Sequence, residues 1–123
     1  MVADLFHYGH VNFLRQARSH GDFLLVGVHA DETVESYKRT PILTMKERIA
    51  SVQGCRYVDE VIPNAPLEIT REWIAEHNIE LIIHGDDVAP EVRDTWYKVP
   101  IEMGIYQSVG YTEGISTTEL ISR

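Results

Sequence analysis

Phe23-Leu24-Leu25-Val26-Gly27-Val28 is an unbroken apolar run inside an otherwise polar neighbourhood. A strand with one wet face alternates apolar and polar residues, whereas a continuous run of this length marks a strand buried on both faces of a parallel sheet. A crossover must then follow before the next parallel strand. Working outward, Val11, Leu14 and Ala17 or Arg18 recur at helical spacing upstream, and Gly21 stands where a C-terminal cap belongs, so a helix is expected over about 9–19. Downstream, Thr44-Met45-Lys46-Glu47 fits a reciprocal capping box and opens a helix that carries Ile49 and Val52 before Gly54 stops it. Glu60-Val61-Ile62 is a short strand. Beyond Pro63 and Pro66, Leu67, Ile69, Trp73 and Ile74 mark an amphipathic helix that ends at Asn78.

Leu81-Ile82-Ile83-His84 is a second buried strand, followed by a polar helical stretch around 91–98, a strand near 105–109 and a second capping box at Ser116 to Glu119. Strands and helices that alternate in this way imply a Rossmann-like α/β fold. It is an open, mostly parallel sheet with helices on both faces and ligands at the carboxyl ends of the strands. With 123 residues the whole chain, 1–123, is expected to form a single domain. A helix whose N-terminus faces that ligand crevice is normally fed by a central strand of about five residues. Only six residues precede His7, so the first central strand is expected to lie upstream of Met1.

The net charge of −8 argues against a nucleic-acid surface, because such surfaces work by neutralising phosphates. No apolar run approaches the roughly 20 residues of a membrane span. There is no basic, apolar leader, and the single Cys55 has no internal disulfide partner, so the expected location is the cytoplasm. An anionic ligand must be met locally, by Lys38, Arg39, Arg48, Arg56 and helix N-termini.

His7-Tyr8-Gly9-His10 opens the first helix. Gly9 permits close backbone approach, and imidazoles three residues apart share one side of the first turn, where each can donate to a phosphate oxygen. Taken alone, the four residues are better read as a coincidence of surface histidines than as a site, and a zinc site lacks the usual third ligand close in sequence. Gly114-Ile115-Ser116-Thr117-Thr118 supplies a further helix start with hydroxyls and amides, or else a plain cap. Lys38 and Arg39 lie in a loop where a cation can move onto a phosphate, or form a solvated pair. Arg48 and Arg56 bracket one helix, where ion pairs with Glu47 or Asp59 are the structural alternative. Gly85-Asp86-Asp87 ends a strand, either at a nucleotide or as a turn.

The order of the pieces says more than any one of them. The His-x-Gly-His motif, a lysine-bearing loop, Arg48, Arg56-Tyr-Val-Asp-Glu-Val-Ile62, Gly-Asp-Asp and Thr112-Glu-Gly-Ile-Ser-Thr-Thr118 together resemble the cytidylyltransferase family. That family includes the glycerol-3-phosphate, choline-phosphate and ethanolamine-phosphate enzymes. The stretches 15–18, 21–32 and 58–66 are most similar to the ethanolamine-phosphate and choline-phosphate members, and 84–87 is similar to the ethanolamine-phosphate type. The resemblance implies that His7 and His10 stabilise phosphate and that Lys38 is a mobile lysine at the α-phosphate. It assigns Val2, Ala3, Gly9, Arg48, Gly85, Asp87, Thr112, Gly114, Ile115, Ser116 and Thr117 to the nucleotide, and Asp4 and Arg56 to the second substrate.

The implied reaction is attack by a small phosphomonoester, phosphoethanolamine or phosphocholine first, on the α-phosphorus of CTP, with Mg²⁺, release of pyrophosphate and a homodimeric enzyme. Three departures accompany the resemblance. Met1 replaces the glycine of the family's lead-in, Tyr111 replaces an arginine before Thr112, and the first strand falls upstream of Met1. Alternatives that keep the fold are glycerol 3-phosphate as acceptor or ATP as donor. An alternative of another class is a nucleotide-binding module without catalysis.

Overall fold

The computed structural model describes residues 1–86, 88–110 and 112–123. Asp87 and Tyr111, both singled out by the sequence, lie outside the described residues. Two compact units emerge, one of Met1–Ala65 with Thr112–Arg123 and one of Pro66–Tyr111.

In the first unit the order is α1 (Tyr8–Arg18), β1 (Leu25–Val28), α2 (Asp31–Glu35), α3 (Met45–Gln53), β2 (Glu60–Pro63) and, after the second unit, α7 (Thr117–Ser122). The second unit holds α4 (Arg71–Glu76), β3 (Ile82–Gly85), α5 (Pro90–Trp96), α6 (Lys98–Glu102) and β4 (Tyr106–Val109). Pairing is parallel throughout, in two two-stranded sheets: β1 with β2, Leu25 opposite Glu60, and β3 with β4, Ile82 opposite Tyr106. The expected α/β class with parallel strands is therefore present. Met1 lies along β1, its carbonyl accepting from the His29 amide at 3.0 Å.

The first core gathers Leu14, Val26, Val28, Val52, Cys55 and Ala3, and the second gathers Ile69, Ile74 and Tyr97 with Trp73, Ile82 and Tyr106 around them. Burying such side chains contributes roughly 1.5–3 kcal/mol each. The strand in the run 23–28 starts only at Leu25, and Phe23 is 63% exposed. Asp59 explains the late start, because its carboxylate takes the Leu24 amide at 2.7 Å and also pairs with Arg18. Helix α1 closes on Ser19, not Gly21.

The capping box at Thr44 is complete: Thr44 Oγ1 accepts from the Glu47 amide at 3.2 Å, and Glu47 Oε1 accepts from the Thr44 amide at 2.9 Å. At α7 only half forms, with Ser116 Oγ accepting from the Glu119 amide at 3.0 Å while Glu119 Oε1 turns to Arg123.

The expected helix from Leu67 is shortened because Thr70 caps α4. Its end is as read: Asn78 takes φ 53°, its amide reaches Ala75 O at 3.2 Å and the Ile79 amide reaches Ile74 O at 3.0 Å, a Schellman ending. Gly104, φ 72°, ends α6 in the same way before β4. The expected helix at 91–98 is divided at Tyr97. Pro100 has no amide to give Trp96 O, and that carbonyl accepts from the Ile69 amide at 2.9 Å instead.

Candidate active site

Helix α1 begins with an unusual cap made of two imidazoles. His7 is the N-cap in extended conformation (φ −139°, ψ 179°), and its Nδ1 accepts from the Gly9 amide at 3.1 Å. His10 Nδ1 accepts from the His7 amide at 3.0 Å. This is the geometry of a serine–glutamate capping box with nitrogen acceptors in place of oxygen. It also settles the tautomers. A neutral imidazole that accepts at Nδ1 carries its proton on Nε2, so both rings present Nε2–H as a donor.

The protonation state agrees with that role. Burial lowers the pKa of His7, and it lowers His10 to about 4, with the neighbouring charges of His7 and Lys38 acting in the same direction. Both rings are thus neutral near pH 7. The ring centroids are 4.0 Å apart, and His10 stacks on Phe6 at 5.1 Å. His7 Nε2 is buried with no hydrogen-bond partner among the described residues. An unpaired buried donor costs roughly 1–3 kcal/mol, which an oxyanion at that point would recover.

The glycine between them is fixed by contact. A Cβ on Gly9 would sit 2.8 Å from His7 Cε1 and 3.1 Å from Ile115 Cγ2, so only glycine lets the His7 ring lie over the first turn with Ile115 beside it. Ile115 belongs to the stretch 112–118, which is tied to the same region twice more. Asn12 Nδ2 donates to Thr112 Oγ1 at 3.3 Å, and Thr117 Oγ1 donates to Asp4 O at 2.7 Å. Ser116 Oγ is held by the α7 cap, and Gly114 takes φ 80°.

Lys38 is exposed in the loop after α2, its charge near enough to His10 to act on that ring, and its neighbour Arg39 donates to Thr118 Oγ1 at 3.2 Å. Asp4 is 3% exposed and spends both carboxylate oxygens on the amides of Ile42 and Leu43, at 2.8 and 2.9 Å. Its neighbour Ala3 is buried with φ 59°.

The arginines behave differently from each other. Arg48 is wholly buried and points inward. Its Nη1 donates to Val2 O at 2.9 Å and His29 O at 2.8 Å, and its Nη2 pairs with Asp31 at 2.5 Å. The ion-pair partner is therefore Asp31, while Glu47 is taken by the α3 cap and Asp59 by Arg18. Arg56 is exposed and turns back over the ring of Tyr57. With Phe6, Val11, Cys55 and Tyr57 it lines an open cleft.

Gly85 is the last residue of β3 in the second unit, buried opposite Val109. Asp4, His7, Gly9, His10, Lys38, Ile115 and Thr117 thus fall in one neighbourhood of the first unit. Asp31, Asn12 and Phe6 take part without having been picked out as site residues; none carries a local motif, since each acts through a partner distant in sequence.

Against protein-family models, residues 2–123 match the cytidylyltransferase-like family. The chain belongs to that family. An ethanolamine-phosphate cytidylyltransferase from Dictyostelium discoideum is 46% identical over 98% of this chain and 35% of its own length. The Arabidopsis thaliana enzyme of the same name is 48% identical over 98% of this chain and 30% of its own length. Choline-phosphate cytidylyltransferase A from Homo sapiens is 41% identical over 99% of this chain and 34% of its own length. The chain therefore spans about a third of the curated relatives it matches.

A lipopolysaccharide core biosynthesis protein from Thermoplasma volcanium GSS1 superposes with a TM-score of 0.71 at 24% identity, covering 91% of each chain, and shares the fold. No described helix is long and apolar enough to cross a membrane.

Proposed function

We propose that this cytidylyltransferase-like chain transfers the cytidylyl group of CTP to a small phosphomonoester, phosphoethanolamine ahead of phosphocholine, and releases pyrophosphate. The observation that carries the reading is the reciprocal imidazole cap, which aims two neutral Nε2–H donors from the start of α1. An acceptor phosphate oxygen attacks the α-phosphorus in line, and the bond to the β-phosphate oxygen breaks as the new one forms. The imidazoles stabilise charge on the phosphoryl oxygens without themselves changing protonation, and preorganised donors of this kind contribute about 3–4 kcal/mol each. Lys38 supplies a mobile cation, and the residues 112–118 supply further contacts to the nucleotide.

Among the described residues there is no group of three or more His, Cys, Asp or Glu placed to hold a metal. In this reading Mg²⁺ would accompany the nucleotide and would offset the charge of its phosphates. The same reading takes residues 1–123 as one catalytic domain of a cytoplasmic homodimer. Names of the relatives support phosphoethanolamine and phosphocholine as acceptors.

The test is pyrophosphate release by purified protein with Mg²⁺, CTP or ATP, and each of phosphoethanolamine, phosphocholine and glycerol 3-phosphate. The expected result is CTP-dependent release, greatest with phosphoethanolamine and lost in His10→Ala. Release no greater than that of His10→Ala with every pair overturns it.

A further inference from the structure

We propose that Asp4 is a positioning residue, one that fixes the loop bearing Lys38 by holding its far end and does not touch the substrate. The proposal rests on the cytidylyl-transfer reading and deepens it. A carboxylate buried to 3% exposure must be fully hydrogen-bonded, and Asp4 meets that need with the loop's own backbone. Oδ2 accepts from the Ile42 amide at 2.8 Å and Oδ1 from the Leu43 amide at 2.9 Å, so both oxygens are already engaged. Its carbonyl accepts from Thr117 Oγ1 at 2.7 Å.

The backbone is bent to make this possible. Ala3 and Leu5, on either side, both adopt left-handed conformations, with φ 59° and 47°. Each costs roughly 1–2 kcal/mol for a residue with a Cβ, a cost that only well-defined surroundings sustain. The strained turn points the Asp4 carboxylate into the loop, and three residues later the chain reaches His7.

The loop is pinned at both ends. The Lys38 amide donates to Val34 O at 2.8 Å, and Arg39 reaches Thr118. Only Thr40 and Pro41 lie between Arg39 and the Asp4-bound amides, and proline removes more freedom. The arc that Lys38 can sweep is therefore set by where Asp4 holds residues 42 and 43. One residue thereby links the loop, the helix of the histidines and the start of α7.

Asp4→Ala and the volume-conserving Asp4→Asn test this in two ways. The first is amide hydrogen exchange, which does not depend on activity: exchange at Ile42 and Leu43 is expected to quicken at least about tenfold in Asp4→Ala while β1 amides keep their protection. The second is a double-mutant cycle with Lys38→Ala. Asp4→Ala is expected to lower kcat about 100-fold with KM for the phosphomonoester within about twofold, and to have no further effect once Lys38 is gone. Asp4→Asn, which keeps one acceptor oxygen, falls between.

Unchanged exchange at Ile42 and Leu43 overturns the proposal. So does an Asp4→Ala penalty that appears in KM or multiplies with that of Lys38→Ala, the behaviour of a direct substrate contact. If the wild-type protein shows no turnover, the cytidylyl-transfer reading fails, and the exchange result alone upholds or overturns the link between Asp4 and the loop.

Discussion

His10 shows how one rotation step in a helix sets chemistry. The apolar stripe of α1 is His10, Leu14 and Ala17, so an ionisable ring occupies a core position at 7% exposure. That burial is the main reason its pKa falls to about 4. The unfolded chain binds a proton on this ring below about pH 6.5, whereas the folded chain resists it until about pH 4. Stability is thus full above pH 6.5 and is lost as pH falls through that window, by up to about 3 kcal/mol. Urea unfolding at pH 7 and pH 4.5 checks this, and His10→Asn should flatten the difference; an equal slope in the variant would assign the acid sensitivity to other groups. Arg48 makes the complementary case of a buried charge that holds the backbone. Arg48→Ala removes the donors to Val2 O and His29 O together with a fully buried side chain, and should cost about 2–4 kcal/mol. A phosphate ligand at the surface would instead lose nucleotide affinity at unchanged stability, so denaturation and CTP binding measured together separate the two roles.

At the scale of elements, the endings are where local chemistry decides most. Asn78 terminates α4 at φ 53°, which glycine and asparagine adopt and branched residues resist. Asn78→Val should destabilise the protein by about 1–2 kcal/mol by thermal unfolding and Asn78→Gly should be nearly neutral; equal losses would mean that the side chain, not the backbone angle, matters. Features of this kind were legible in the sequence. The box at Thr44 and Glu47, the end at Asn78 and the parallel strands all depend on residues a few positions apart or on one continuous apolar run. What escaped depends on partners far along the chain. Pro100 divides a helix because Trp96 O finds the Ile69 amide, Phe23 leaves its strand because Asp59 captures Leu24, and Arg48 finds Asp31 and not Glu47. The stripe of α1 was counted from the apolar Val11, whereas tertiary packing buries His10 with Leu14 and Ala17. The His-x-Gly-His motif was visible as a pair of donors, yet its capping role required seeing that each Nδ1 faces a backbone amide.

For the whole molecule the governing quantity is charge. A net −8 repels a triphosphate at long range, while Lys38 and Arg39 attract it only at close quarters. At an ionic strength of about 0.01 M the screening length is about 30 Å, so an approaching nucleotide feels the whole negative surface. At about 0.15 M it shrinks to roughly 8 Å, and the local cations and the neutral imidazole donors dominate. The neutral donors matter here because an Nε2–H bond to a phosphate oxygen is far less sensitive to added salt than an ion pair. KM for CTP should therefore stay level or fall about twofold as salt rises over this range, the reverse of the behaviour of a protein that steers anions with a basic surface. Steady-state kinetics in a salt series with Mg²⁺ held constant make the measurement. A KM that climbs steeply with salt would mean that exposed cations, not the buried imidazole cap of α1, supply most of the binding energy for the triphosphate.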